Sequence, residues 1–165
     1  MKAVVVYESH WGNTAAIARA IAEGIGAETV ALSTAEASSA VIADVDLIVA
    51  GAPVLGFSLP TEAMIRSLGQ NLEKGVAAPD LSHPSMRSWL ENLPRGNGRS
   101  AAFETRISWS PGGSTKAILR ELGKAGYQPV AEAHRFVVTD RYGPLKEGEL
   151  ERAKLWGAEL AEAMR

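Results

Sequence analysis

Hydrophobic positions in this chain fall into short continuous runs that alternate with stripes at helical spacing. Ala3 to Tyr7 is continuously apolar and rich in Val, as expected of a strand buried on both faces. A short polar loop follows, and then Ile17, Ile21 and Ile25 recur at helical spacing. Asn13 or Thr14 is placed to cap that helix, and Gly24 and Gly26 read as its stop signals. Glu28 to Leu32 predicts a second, half-buried strand. Asp46 to Ala50 predicts a third, ending at Gly51-Ala52-Pro53. Thr61 to Leu72 reads as a helix with Met64, Ile65 and Leu68 inward. Lys74 to Arg99 is rich in Gly and Pro and predicts a mobile loop. A short helix then follows Ser85, striped by Met86, Trp89, Leu90 and Leu93.

Gly96-Asn97-Gly98 turns into a fourth strand, Ser100 to Phe103. Ser114 to Ala125 predicts a helix through Ile118, Leu119 and Leu122, capped by Ser114. Tyr127 to Thr139 holds a fifth strand, strongest at Phe136-Val137-Val138. Glu149 to Met164 closes the chain as a helix. Leu150, Ala153, Gly157, Leu160 and Met164 form its inner face, and Glu149, Glu151, Arg152 and Lys154 its solvated one. Trp89 and Trp156 read as packing residues. His83 and His134 show no metal-ligand spacing, and His134 reads as structural.

Strands alternating with helices predict an α/β fold, a parallel sheet covered on both sides. Ligands in such sheets sit beyond the C-terminal strand ends, where the strand order reverses. The loops after the first, third and fourth strands are therefore the expected site. A length of 165 residues predicts one domain spanning 1–165. The chain has no cysteine, which excludes disulfides, thiol catalysis and zinc–thiolate sites and suits a reducing cytoplasm. The N-terminus lacks a secretory pattern, and no apolar run is long enough to cross a bilayer. A net charge of −2 points to neither nucleic acid nor an acidic membrane surface.

The loop after the first strand carries the most chemistry. Ser9 and Thr14 offer hydroxyls and Asn13 an amide. Gly12 lets the backbone bend closely around a ligand. The N–H groups of His10 to Thr14 sit at a helix start, where an anion is favoured. The loop is no Walker motif, since the Gly-Lys-Ser/Thr ending is absent, and it lacks the three glycines of a dinucleotide fingerprint. It reads either as a phosphate cradle built from dipoles or as an ordinary capped turn.

Tyr7-Glu8-Ser9-His10-Trp11-Gly12-Asn13-Thr14 resembles the phosphate loop of the flavodoxin family, with Trp11 where that family usually has Thr. Gly51-Ala52-Pro53-Val54 resembles its segment after the third strand, with Val54 in place of Thr. Ala101 to Arg106 and Gly143 to Ala153 resemble bacterial flavodoxin-like, flavodoxin-domain proteins. The resemblance implies a doubly wound three-layer sandwich around a five-stranded parallel sheet of order 2-1-3-4-5. It implies FMN as cofactor and electron transfer between redox partner proteins that dock transiently. On that pattern Ser9, His10, Trp11, Gly12, Asn13 and Thr14 would hold the phosphate. Ala52, Pro53, Val54, Leu55, Gly56 and Phe57 would cover one side of the flavin ring, with Gly56 able to turn its peptide. Glu104, Thr105, Arg106 and Trp109 would line the other side.

Alternatives remain open along these loops. Phe57 either stacks on the ring or packs on the following helix. Trp109 is either a ring partner or a hydrophobic anchor or partner surface. Arg106 is either a cation beside the ring that favours its reduced anion or a surface residue paired to Glu104. No catalytic side chain and no metal ligand is evident. An FMN-dependent oxidoreductase acting on NAD(P)H and a quinone-type acceptor is one alternative. An interaction module that keeps the fold but binds no flavin, as Trp11 and Val54 permit, is another.

Overall fold

Three strands occupy the middle of the sheet because they are apolar on both faces. They are β1 (Ala3–Tyr7), β3 (Leu47–Pro53) and β4 (Arg99–Ile107), buried along almost their whole length. The computed structural model describes residues 1–165. β2 (Val30–Ser33) pairs with the outer side of β1, in parallel. On the far side of β4 lie two short strands, β5 (Gln128–Pro129) and β6 (His134–Val138). The order is β2-β1-β3-β4-β5, all parallel, with β6 also paired to β4. The predicted fifth strand is thus present but interrupted at residues 130–133. Pro129 cannot donate to a ladder, which is tolerated at a sheet edge.

Alternate residues of each strand feed two cores. Val4, Val6, Ile48 and Ala50 meet Met86, Trp89, Ile118 and Leu122 from α4 (Met86–Glu91) and α5 (Thr115–Lys124). Ala3, Val5, Leu47 and Val49 meet Ile17, Ile21, Trp156 and Leu160 from α1 (Asn13–Ile25) and α6 (Glu149–Ala163). The result is a doubly wound three-layer sandwich. No helix is long and apolar enough to cross a membrane.

Several expectations change. Gly24 is not a stop signal but lies inside α1. A Cβ there would fall 2.0 Å from the Lys154 carbonyl oxygen, so the residue permits close contact with α6. A one-turn helix, α2 (Ser39–Ile42), was not expected from the sequence. The helix predicted to reach Leu72 is α3 (Glu62–Ser67), capped by Thr61. The chain bends away after it, with Asn71 at φ 55°. β4 runs four residues beyond Phe103. Leu150 points to solvent, whereas Glu149 is buried, accepting from Val137 N–H at 2.7 Å and pairing with Arg152. A carboxylate with that many donors belongs at the core edge rather than on the solvated face.

Candidate functional site

β1 ends at Tyr7, and α1 begins behind Gly12, whose φ of 93° lies in the left-handed region that glycine reaches without strain. Asn13 and Thr14 already have helical backbone, so neither caps the helix. Asn13 Nδ2 instead donates to the Tyr142 carbonyl at 3.1 Å, and the Thr14 hydroxyl lies 2.7 Å from that of Thr105. Gly12 N–H donates to Ser9 Oγ at 3.2 Å. The N–H groups of His10, Trp11, Asn13, Thr14 and Ala15 have no acceptor within the chain.

Of these last five residues, all but Ala15 border an open concavity of about 560 Å³, its mouth included. Ser9, His10, Trp11, Asn13 and Thr14 line one end. Pro53, Val54 and Leu55 from the β3 loop, and Thr105 and Arg106 from β4, continue the wall. Ile107, Val138 and Arg141 complete it; the sequence reading did not single these out. Trp11 does not plug the space. Its indole N–H donates to the Ala77 carbonyl at 2.9 Å, and its ring meets Tyr142 edge-on at 4.8 Å, so it forms a side wall.

Other predicted residues lie elsewhere. Ala52 is fully buried within β3, and Gly12 faces away from the concavity. Leu55 and Ser58 exchange backbone hydrogen bonds at 2.9 and 3.0 Å around Gly56 (φ 53°) and Phe57 (φ 68°). Two left-handed residues in a two-residue hairpin make a type I′ turn. Phe57 is held there by Gly113 N–H, which donates to its carbonyl at 3.1 Å. Phe57 is 58% exposed, so it does not pack on the next helix; Leu59 is the residue buried nearby, in the core beneath α4 and α5. Trp109 is 77% exposed and anchors nothing.

Glu104 and Arg106 form a buried ion pair, with Nη1 2.6 Å from Oε2. The pairing alternative therefore holds, though inside the protein rather than at its surface. The other Glu104 oxygen accepts from Ser114 and Thr115 N–H at 2.9 and 3.2 Å. Glu104 thus caps α5, the role expected of Ser114, whose hydroxyl donates to the Pro53 carbonyl at 2.8 Å. Both ends of the Glu104 carboxylate are occupied, which turns it away from the concavity. The positive charge of Arg106 is matched where it lies.

Behind the first loop sits a polar cluster that the sequence did not reveal. Residues 77–86 are fastened to that loop rather than free: Asp80 N–H donates to the His10 carbonyl at 2.8 Å, and Ser9 N–H to His83 Nε2 at 3.3 Å. Glu8 has no solvent exposure. Its Oε1 accepts from Met86 N–H at 2.6 Å, and its Oε2 lies 2.8 Å from His10 Nε2. His10 Nδ1 lies 2.8 Å from the Asp80 carbonyl, which can only accept. His10 therefore donates from both nitrogens, as an imidazolium does. Burial alone would lower its pKa, but the hydrogen bonds to Glu8 and Asp80 carry it above the ordinary 6.5. His83 stacks on His10 at 5.1 Å, and burial followed by the His10 charge pushes it below that value. Its Nε2 accepts from Ser9, so it is neutral. His134, half-buried on β6, stacks on Trp156 at 4.7 Å.

A family model described as a flavodoxin domain matches residues 4–78. Comparison with curated protein sequences gives no match. Among solved structures, a flavodoxin from the domain Archaea superposes with a TM-score of 0.68 at 20% identity, covering 99% of both chains. Flavodoxin 1 from Bacillus cereus gives 0.66 at 18% identity over 98% of each chain. The flavodiiron core of Flv1 from Synechocystis gives 0.64 at 21% identity, covering 99% of this chain and 36% of that one. At these identities the structures speak for the fold alone. The matched residues hold β1, the first loop and β3, around which the sheet is wound; over that stretch the chain is similar to a flavodoxin domain, and over its whole length it has the flavodoxin-like fold.

Proposed function

We propose that residues 1–165 act as one FMN-binding domain that passes electrons between transient redox partners. The phosphate would sit at Ser9–Thr14, and the ring would extend between Pro53–Phe57 and Thr105–Trp109. The observation that carries this reading is the set of backbone N–H groups of His10, Trp11, Asn13 and Thr14, without acceptors in the chain, on residues that line a concavity. An oxyanion there would satisfy several donors at once and would lie at the positive end of α1. The residues fit the group. Ser9, Thr14 and Thr105 are among the residues that line this space, and no carboxylate does. Val54, Leu55, Ile107 and Val138 supply apolar wall for a flat ring.

Phe57 and Trp109 support the same reading, because two exposed aromatics on the loops around one concavity gain by covering a planar ligand. FMN supplies the redox chemistry, and the chain supplies binding, orientation and electrostatics. The exposed loop tips are where partner proteins would dock. A chain without cysteine fits a reducing setting such as the cytoplasm.

The carrier role is tested with FMN-loaded protein, NAD(P)H and a flavodoxin reductase. The expected result is negligible NAD(P)H oxidation alone, with electrons reaching an acceptor protein once the reductase is added. Steady oxidation of NAD(P)H by the isolated protein with a quinone overturns the carrier role in favour of an oxidoreductase.

A further inference from the structure

Two guanidinium groups border the concavity, and only one is neutralised. Arg106 is 6% exposed and spends Nη1 on Glu104 and on the Gly112 carbonyl, at 2.6 and 2.7 Å. Arg141 is exposed and forms no ion pair.

The place of Arg141 is set by a tight turn after β6. Gly143 N–H donates to the Asp140 carbonyl at 3.0 Å, and Arg141 N–H to Asp140 Oδ1 at 2.7 Å. Thr139 closes the base of the turn through its N–H and hydroxyl, which both donate to the Pro144 carbonyl at 2.8 and 3.0 Å. The turn abuts the first loop. Asn13 donates to the Tyr142 carbonyl, the Tyr142 ring meets Trp11, and a Cβ on Gly143 would stand 2.7 Å from Asn13 Oδ1. The Arg141 guanidinium carbon lies 5.4 Å from the Tyr142 ring centre. A cation without an ion-pair partner therefore lines the concavity, on a turn fastened to Asn13 of the first loop.

We propose that Arg141 is the charge-selecting residue of this site. It pairs with the phosphate of a phosphomonoester ligand and makes the site discriminate FMN from riboflavin. The inference rests on the FMN reading and adds to it. The remaining donors at this end are neutral dipoles, apart from His10, whose charge is already met by Glu8. A phosphate dianion has more to gain from a guanidinium than from another amide, because such charge-assisted bonds are about twice as strong as neutral ones.

The test uses the whole protein and Arg141→Gln, with FMN, riboflavin and inorganic phosphate as probes. The side chain is exposed and its backbone bonds are kept, so the melting temperature should not change. Arg141→Gln should weaken FMN binding about ten- to a hundredfold and leave riboflavin unaffected. Added salt should weaken FMN binding to the wild type more than to the variant, and inorganic phosphate should compete better in the wild type. Equal FMN affinity in both proteins overturns the role of Arg141 while leaving the FMN reading intact. Equal losses for FMN and riboflavin overturn it as well, since they mark support of the loop rather than contact with phosphate. Wild-type protein that binds neither flavin removes the FMN reading and this inference together.

Discussion

Glu8 ties the start of α4 to the first loop with one buried carboxylate, and removing it tests that attachment. In Glu8→Ala, Met86 N–H loses an acceptor held at 2.6 Å, and the His10 imidazolium loses one at 2.8 Å. Breaking a buried charged pair from one side costs about 3–5 kcal/mol. One side chain serves both donors, so that range covers the whole effect rather than half of it. Against a typical domain stability of about 5–15 kcal/mol, the loss is large.

Glu8→Gln separates charge from shape. Its amide oxygen can still accept from Met86. Its amide nitrogen can donate to Nε2 of a neutral His10 whose Nδ1–H stays on the Asp80 carbonyl. Every buried group then keeps a partner, and the expected cost falls to about 1–2 kcal/mol, the charge-assisted part alone. Urea denaturation of both variants, run below and above the ordinary histidine value of 6.5, reads these numbers. The Gln penalty should shrink as pH rises through the raised folded value of His10, where the wild type sheds that proton too. A loss below about 1 kcal/mol for Glu8→Ala, or equal losses for the two variants, refutes the reasoning.

Stability should pass through a maximum near pH 6.5, the ordinary histidine value. His10, raised beside Glu8, Asp80 and His83, contributes stability that is present below 6.5 and lost as pH rises through its folded value. His83, and His134 near Arg152, Glu149 and Glu159, are lowered, so theirs is present above 6.5 and lost as pH falls towards their folded values. A profile that only rises across this range, followed by thermal melting, contradicts the assignment. Glu104→Ala should cost about 3–5 kcal/mol by leaving Arg106 buried with only the Gly112 carbonyl, and the Glu104→Ala/Arg106→Met pair should recover the part due to the stranded charge but not the lost cap on Ser114 and Thr115 N–H, as urea titrations would show. Gly24→Ala should destabilise by about 1–3 kcal/mol because its Cβ would collide with the Lys154 backbone, whereas Gly123→Ala, with open space in α5, should stabilise by about 0.5–1 kcal/mol. Matching effects of the two glycine changes on melting temperature would rule out the close approach of α1 and α6.

What the sequence made legible was local. β1 and β3 are apolar runs that need no partner to be read, and the loop before α1 announces itself by composition. The helix stripes through Ile17, Ile118 and Leu160 gave the layers. What stayed hidden depends on residues far apart in the chain. His10 and His83 meet only because residues 77–86 return over the first loop, and no spacing encodes that return. Arg141 reaches the concavity through a turn whose partner is Asn13. Glu104 looked like a loop residue facing a ligand, yet helix α5 needed a cap and took its carboxylate. Glu149 looked solvated by helical position, yet Val137 N–H claimed it.

The central claim is that the first loop and its two neighbours hold FMN. Purified protein freed of bound flavin and titrated with FMN, followed by visible absorbance and flavin fluorescence, tests it directly. Saturation at one FMN per chain with quenched fluorescence is the predicted result. Flavin spectra that stay those of the free cofactor at every protein concentration contradict it.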